Sequence, residues 1–318
     1  SDGITASASA INVGNTGSTQ TITVTTLREW TAFADDACSA WARVTTTGTN
    51  KNSGTITVQI DANTSYEARQ GNIVIKSGTQ RLYIPVKQAA TERPVAVDSL
   101  RGPAGYNLVW HDEFNGTSLS SDWTIENWPA GRVNNEKQVY PGTDSYSGQK
   151  LIEVKDGFLS IIARKINNQY YSGRIYGKRN TGWKYGYVAA RIRVPAGKGT
   201  WPAFWMMPVA GGSWPATGEI DIMEHVGYNP NVVHSTIHCT KYNNGGTAVE
   251  SASRNIGTAT SAFHVYAMEW TPAYMKFYVD DQLLLTYNNE GTISAWPFDK
   301  EFYVILNLAW GGDWGGQQ

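Results

Sequence analysis

The chain has 318 residues, 41% hydrophobic and 17% charged, enough for two domains each with a core of its own. Lysine and arginine number 26 against 27 acids with no long run of either sign, which argues against nucleic acid as a partner and points to a neutral ligand. No apolar run approaches the about 18 residues of a membrane span, and Ser1-Asp2-Gly3 lacks the charged-then-apolar pattern of an export signal, although a removed signal leaves the same trace.

Residues 4 to 90 carry short runs of period-two alternation at 4–13, 19–26, 55–61, 71–76 and 81–87. Turn clusters such as Gly14-Asn15-Thr16-Gly17 and Ser77-Gly78-Thr79 separate them. Alternation buries every second side chain, so an antiparallel, Ig-like sandwich is expected over residues 1–90. Trp30 to Trp41, followed by NSGTITVQIDANTSYEARQGNIVIKSGTQRLYIPVKQ over residues 52–88, resembles the BACON domain of Bacteroidetes carbohydrate-active proteins in its R-x-G-x-I-x-I run and closing V-x-Q. The resemblance implies an exported protein, held at the cell surface by a lipid tether or free in the periplasm, with this domain as a spacer or weak glycan binder. The spacer is favoured, because only Trp30 and Trp41 of the thirteen tryptophans precede residue 97.

AATERPVAVDSLRGPAGY mixes proline, glycine and charge without periodicity, which places a linker over 91–106 and a second domain over 107–318. Strands are expected there at 158–163, 185–194, 219–226, 232–239, 264–270, 274–279 and 302–308, with no amphipathic helix of three turns. Two packed antiparallel sheets, a jelly roll, suit that pattern and make the chain all-β. Cys38 and Cys239 fall in different domains and are expected as two free, buried thiols.

Within the second domain GEIDIMEHV, residues 218–226, sets three carboxylates in six positions of an otherwise apolar strand. Burying one carboxylate costs several kcal/mol unless it is paired or protonated, so a chain needing only a core would not group them. Glu219 and Asp221 share a face by period two, whereas Glu224 would point the other way. A β-bulge within Ile222-Met223 absorbs the odd residue and returns Glu224 to the Glu219 face. The carboxyls then stand about 5–6 Å apart, the spacing of a retaining glycosidase, in which one carboxylate attacks the anomeric carbon and the other protonates the leaving oxygen. Mutual repulsion lets one acid stay protonated near neutral pH while its neighbour is ionised.

The stretch Gly218–Glu224 resembles the bulged, laminarinase-like E-[ILV]-D-x-x-E signature of glycoside hydrolase family 16. LVWHDEFNG (108–116), NNEKQVY (134–140), SGRI (172–175), GTWPAFWMMP (199–208), SWPATGEIDIMEHVG (213–227), VHSTIH (233–238), FHVYAMEW (263–270) and ILNLAWGGDW (305–314) extend the likeness in order. By position, the resemblance implies Glu219 as nucleophile, Asp221 as its assistant and Glu224 as general acid, then base. It implies Trp201, Trp205 and Trp214 as cleft aromatics (with the core an equal alternative for Trp205), Asn135, Glu136 and Arg174 as polar grips on non-reducing-side sugars, and His238 as a contact to the leaving-group sugar beside the acid/base. A surface ion pair between Arg174 and Glu136 is the plain alternative for those two, and packing that for His234.

His234 and His238 share a strand with Cys239, but no further histidine is placed to complete a zinc site, so no catalytic metal or cofactor is expected. The family resemblance also implies a last strand of the type V-D-Y-V-R-V-Y some twenty residues beyond GGDWGG, past Gln318. A structural calcium stays open, with Glu113 as a ligand in this chain. The partner implied is a β-glucan polysaccharide, β-1,3-linked as in laminarin or of mixed β-1,3/1,4 linkage, cut by a monomer. Agarase- or carrageenase-like specificity, transglycosylation and glycan binding without catalysis are the competing readings.

Overall fold

A computed structural model of the chain describes residues 3–47, 51–65, 67–91, 100, 102–243 and 250–316. Contacts divide the chain into two compact units, Ser1–Ala96 and Val97–Gln318. Most of the 91–106 linker lies outside the described residues. Among the described residues no helix is long and apolar enough to cross a membrane.

The first unit is two four-stranded sheets. One runs Thr5–Ala6, Ser18–Thr25, Gly54–Ile60, Ala42–Thr47; the other runs Ile11–Val13, Gln80–Gln88, Arg69–Ser77, Thr31–Ala34. Alternation fills the space between them: Ile22, Val24, Ile56, Val58, Ile73, Ile75, Ile84 and Val86 join Trp30, Trp41 and Cys38 in one core. The run expected as one strand over 4–13 is two strands in different sheets, because Thr5–Ala6 pairs with Ser18–Thr25 while Ile11–Val13 lies parallel to Gln80–Gln88.

The second unit packs a seven-stranded sheet against a four-stranded one. The larger runs, in spatial order, Glu250–Asn255, Val232–His238, Glu219–His225, Thr200–Pro208, Phe302–Trp310, Arg174–Gly177, Trp123–Ile125. The smaller is Gly186–Ile192, His264–Trp270, Tyr274–Val279, Gln282–Asn288. Every neighbouring pair in both sheets is antiparallel. Trp270, Phe277, Phe298 and Phe302 are wholly buried, and removing each large apolar side chain from water stabilises the unit by about 1.5–3 kcal/mol. Thr200–Pro208, missing from the expected strands, sits in the middle of the large sheet. Its apolar run reads without clean alternation because one face meets the core through Phe204 and Met206 while the other carries Trp201 and Trp205. Cys38 and Cys239 are free and buried.

Candidate active site

The central strand Glu219–His225 is out of step with both neighbours. Phe204 stands opposite Met223 but Trp205 opposite Asp221, leaving Ile222 unmatched; on the other side Asp221 faces Thr236 and Glu224 faces His234, three positions against two. This is a β-bulge, and its side-chain consequence is visible in the core, where Ile220, Ile222 and Met223 are all buried. Two successive apolar side chains turn inward, so Glu224 comes out on the face of Glu219 and Asp221.

Gly218, which introduces the strand, has φ +85°, and a Cβ there would lie 2.7 Å from Phe298 Cε1. Only glycine meets both demands without strain. Gly218→Ala is expected to destabilise the unit by about 1–3 kcal/mol and to displace Glu219; a melting curve and kcat matching the wild type would contradict this.

Each outer acid is held by an indole. Trp214 Nε1 donates to Glu219 Oε2 at 2.8 Å, and Trp201 Nε1 donates to Glu224 Oε1 at 3.0 Å. Trp214 is 49% exposed, which places it at the surface and not in the core. Asp221 is 2% exposed, with His238 Nε2 lying 3.1 Å from its Oδ2.

Burial, then the charge of Asp221, pushes Glu219 up to about 8; burial pushes Glu224 up to about 7 and Asp221 well above its ordinary range. Burial thus favours the neutral form of both Glu219 and Asp221. Taken together they share one proton, because a proton on Asp221 removes the repulsion that raises Glu219. Glu224, near 7, sits where an acid that must also act as a base is most useful.

A second polar group comes from further off, Asn135 and Glu136 from the segment leading into Gln138–Pro141 and Arg174 from the strand beyond Phe302–Trp310. Glu136 is buried, accepting from Asn134 Nδ2 at 3.2 Å and Gln138 Nε2 at 2.6 Å, and burial raises it. Asn135 Nδ2 donates to Asp313 Oδ1 at 2.7 Å. Asn135 and Glu136 line a cavity of about 510 Å³ with Lys137, Gln169, Tyr170 and Trp310, the last two stacked at 5.0 Å. Arg174 is only 5% exposed, and its guanidinium lies 4.1 Å from the centre of the Trp128 ring and 4.9 Å from that of Trp205. The surface ion pair is thereby excluded for Arg174; its reach toward Glu136 is through space. Trp205 Nε1 donates to Asn307 Oδ1 at 2.8 Å, and Asn307 Nδ2 to Tyr140 at 3.1 Å.

The sequence reading puts His238 beside Glu224 and gives His234 to packing, and strand pairing sets both otherwise. His238 stands opposite Glu219 and against Asp221, on the Glu219 side of the bulge, whereas His234 stands opposite Glu224. Counting from the motif alone cannot assign them, because the bulge shifts the register between one pair and the other. Asn307, Gln138, Trp128 and Trp314 also escape the sequence reading: each is ordinary in sequence and acquires its place only through strand pairing.

Among the described residues, Glu219, Asp221 and His238 form the one group of three or more His, Cys, Asp or Glu with ligand atoms within 4.8 Å of one another. Glu113, the calcium candidate, is solvent-exposed with His111 Nδ1 3.3 Å away.

A jelly roll with a bulge-aligned carboxylate trio in an aromatic-walled cleft is the architecture of a glycosidase. Residues 139–318 match the model of glycosyl hydrolases family 16, and the chain belongs to that family; residues 30–89 match the BACON model. The chain is 40% identical over 228 residues to a "Beta-glucanase" from Rhodothermus marinus, covering 67% of this chain and 78% of that protein. The solved laminarinase from Rhodothermus marinus aligns with a TM-score of 0.61 at 40% identity, over 66% of this chain and 88% of that one. A "Keratan-sulfate endo-1,4-beta-galactosidase" from Sphingobacterium multivorum is 37% identical over 221 residues, covering 66% of this chain and 50% of that protein.

Proposed function

We propose that the chain is an endo-acting, retaining β-glucanase that cleaves β-1,3-glucan through a covalent glycosyl-enzyme. The observation that carries this reading is the register shift that lines up Glu219, Asp221 and Glu224 on one face. An ionised Glu219 oxygen attacks the anomeric carbon as the bond to the leaving oxygen breaks, and Glu224 gives that oxygen its proton. Water then enters, Glu224 takes a proton from it, and the bond to Glu219 breaks, restoring both acids with the anomeric configuration retained. Asp221 keeps the shared proton while Glu219 attacks, and shares it again with Glu219 once the ester is cleaved. The half-exposed indole of Trp214 offers a flat face to a pyranose ring while its N–H fixes the nucleophile.

The relatives named beta-glucanase and laminarinase support the glucan assignment, and the galactosidase relative makes a galactan the reading to test against it. The protein is expected to release oligosaccharides from laminarin, and more slowly from barley β-glucan, with none from agarose, keratan sulfate or κ-carrageenan. Products from any of the last three without products from laminarin would overturn the substrate and leave the mechanism standing. Product analysis with an added acceptor sugar separates hydrolysis from transglycosylation.

A further inference from the structure

The Gly-rich turn that follows the Phe302–Trp310 strand takes no direct part in bond cleavage, yet it is tied to both halves of the cleft. Gly311 N donates to Gly199 O at 2.7 Å, Gly199 N to Gly315 O at 3.0 Å, and Gly315 N to Gly311 O at 2.9 Å, which lock the turn to the chain just before Trp201. On its other side Asp313 N donates to Asn134 O at 2.8 Å. Gly312, at φ +73°, would place a Cβ 2.6 Å from that same Asn134 oxygen, so the turn cannot sit as close with any other residue. The backbone leaves Trp314 little freedom of position.

The Trp314 ring meets two others edge to face. Its centre lies 5.5 Å from that of Trp201 at 87° between planes, and 4.9 Å from that of His234 at 76°. Trp201 is the indole that donates to Glu224, and His234 is the residue opposite Glu224 on the next strand. Edge-to-face pairs fix the angle of a ring as well as its distance, and a donor swung by one rotamer loses its acceptor.

We infer that Trp314 is a positioning residue for the acid/base: standing between Trp201 and His234, it holds the Trp201 N–H on the Glu224 carboxylate and so sets where the acid/base points. The inference rests on the acid/base role proposed for Glu224. The groups whose charge reaches Glu224 are Glu219, Glu136 and His238, with Asp221 next to them, and none touches Trp314 in the ring contacts above. Trp314 meets two residues beside Glu224, Trp201 and His234, and of these Trp201 is the one that donates a hydrogen bond to the carboxylate. Losing that donor removes an interaction favouring the ionised carboxylate, so Glu224 must titrate higher.

The test is Trp314→Leu, with Trp314→Phe, which keeps a ring in the wedge and preserves folding, as the milder variant. In the free protein, carboxyl ¹³C NMR is expected to show Glu224 titrating higher in either variant than in the wild type, further for leucine. On laminarin, kcat is expected to fall about tenfold for leucine with KM within about twofold, and the alkaline limb of the pH profile to move up. Trp201→Phe, which deletes only the donor, should reproduce the shift, and the double variant should be no worse than Trp201→Phe alone. A Glu224 titration unmoved in Trp314→Phe, or a rise in KM alone, would overturn the inference; the latter would make the indole a sugar platform. A wild type that leaves laminarin intact while Glu224 still shifts would instead break the glucanase reading.

Discussion

Replacing Glu219 by glutamine is expected to lower kcat on laminarin at least ~10³-fold while leaving oligosaccharide affinity nearly unchanged. The amide keeps the shape of the side chain and can still meet the Trp214 N–H through its oxygen, so the cleft should survive. What it lacks is an electron pair able to form a glycosyl ester. The same variant should be more stable than the wild type at high pH. Glu219 releases its proton near 4.3 in the unfolded chain but is held up to about 8 in the fold. Its contribution to stability is thus fully present below the unfolded value and declines as pH rises through the folded one, where the Glu219–Asp221 pair must give up the proton it shares. Glu219→Gln is expected to melt higher than the wild type at pH 8, by about 1–3 kcal/mol after allowing for partial solvent exposure, with the gap closing toward pH 4. A loss of stability at pH 8 would mean that the ionised carboxylate is compensated by a partner beyond the Trp214 N–H. Undiminished turnover would remove Glu219 as nucleophile.

Replacing Glu224 by alanine is expected to divide substrates by their leaving group. On laminarin the loss should again be ~10³-fold or more, because the departing alkoxide receives no proton. An aryl β-laminaribioside with a good leaving group needs little protonic help and should still form the glycosyl-enzyme, and added azide should then resolve it to a β-glycosyl azide, since a small anion attacks without a general base. The wild-type profile should be bell-shaped, with its alkaline limb near 7 on laminarin, where Glu224 loses the proton it must donate. That limb should vanish for the variant assayed on the aryl substrate. An α-configured azide product, or an alkaline limb that persists without Glu224, would count against the assignment.

The carboxylate strand is readable from residues alone because its conflict is local. Three acids at 219, 221 and 224 cannot share a face of a regular strand, nor can the adjacent Ile222 and Met223 both face the core of one, and one bulge settles both difficulties. The sandwich of the first unit is readable for a similar reason, its alternation being strict over Gln80–Gln88, although the break inside residues 4–13 is not, since a short polar kink looks like continued alternation.

What escapes depends on pairing between distant segments. Arg174 gives no sign of burial in S-G-R-I; only the Trp128 and Trp205 rings around it make a buried cation tolerable. His234 and His238 differ by four positions on one strand, and the bulge on the neighbouring strand decides which of them meets which acid. Trp314 sits in a turn whose glycines hint at close approach without saying to what. Thr200–Pro208 has no legible period because both its faces are used, one by the core and one by the cleft.

Incubation with a laminaribiosyl donor carrying fluorine at the sugar C2 and a good leaving group, followed by peptide mapping of the inactivated protein, addresses the nucleophile directly. The fluorine slows release of the ester, so the sugar should be recovered on the peptide containing Glu219, with fragmentation placing it on that side chain. A label on Asp221, Glu224 or outside the Glu219–His225 strand, or full retention of activity after prolonged exposure, would contradict the assignment of that strand as the place where the glycosidic bond is exchanged.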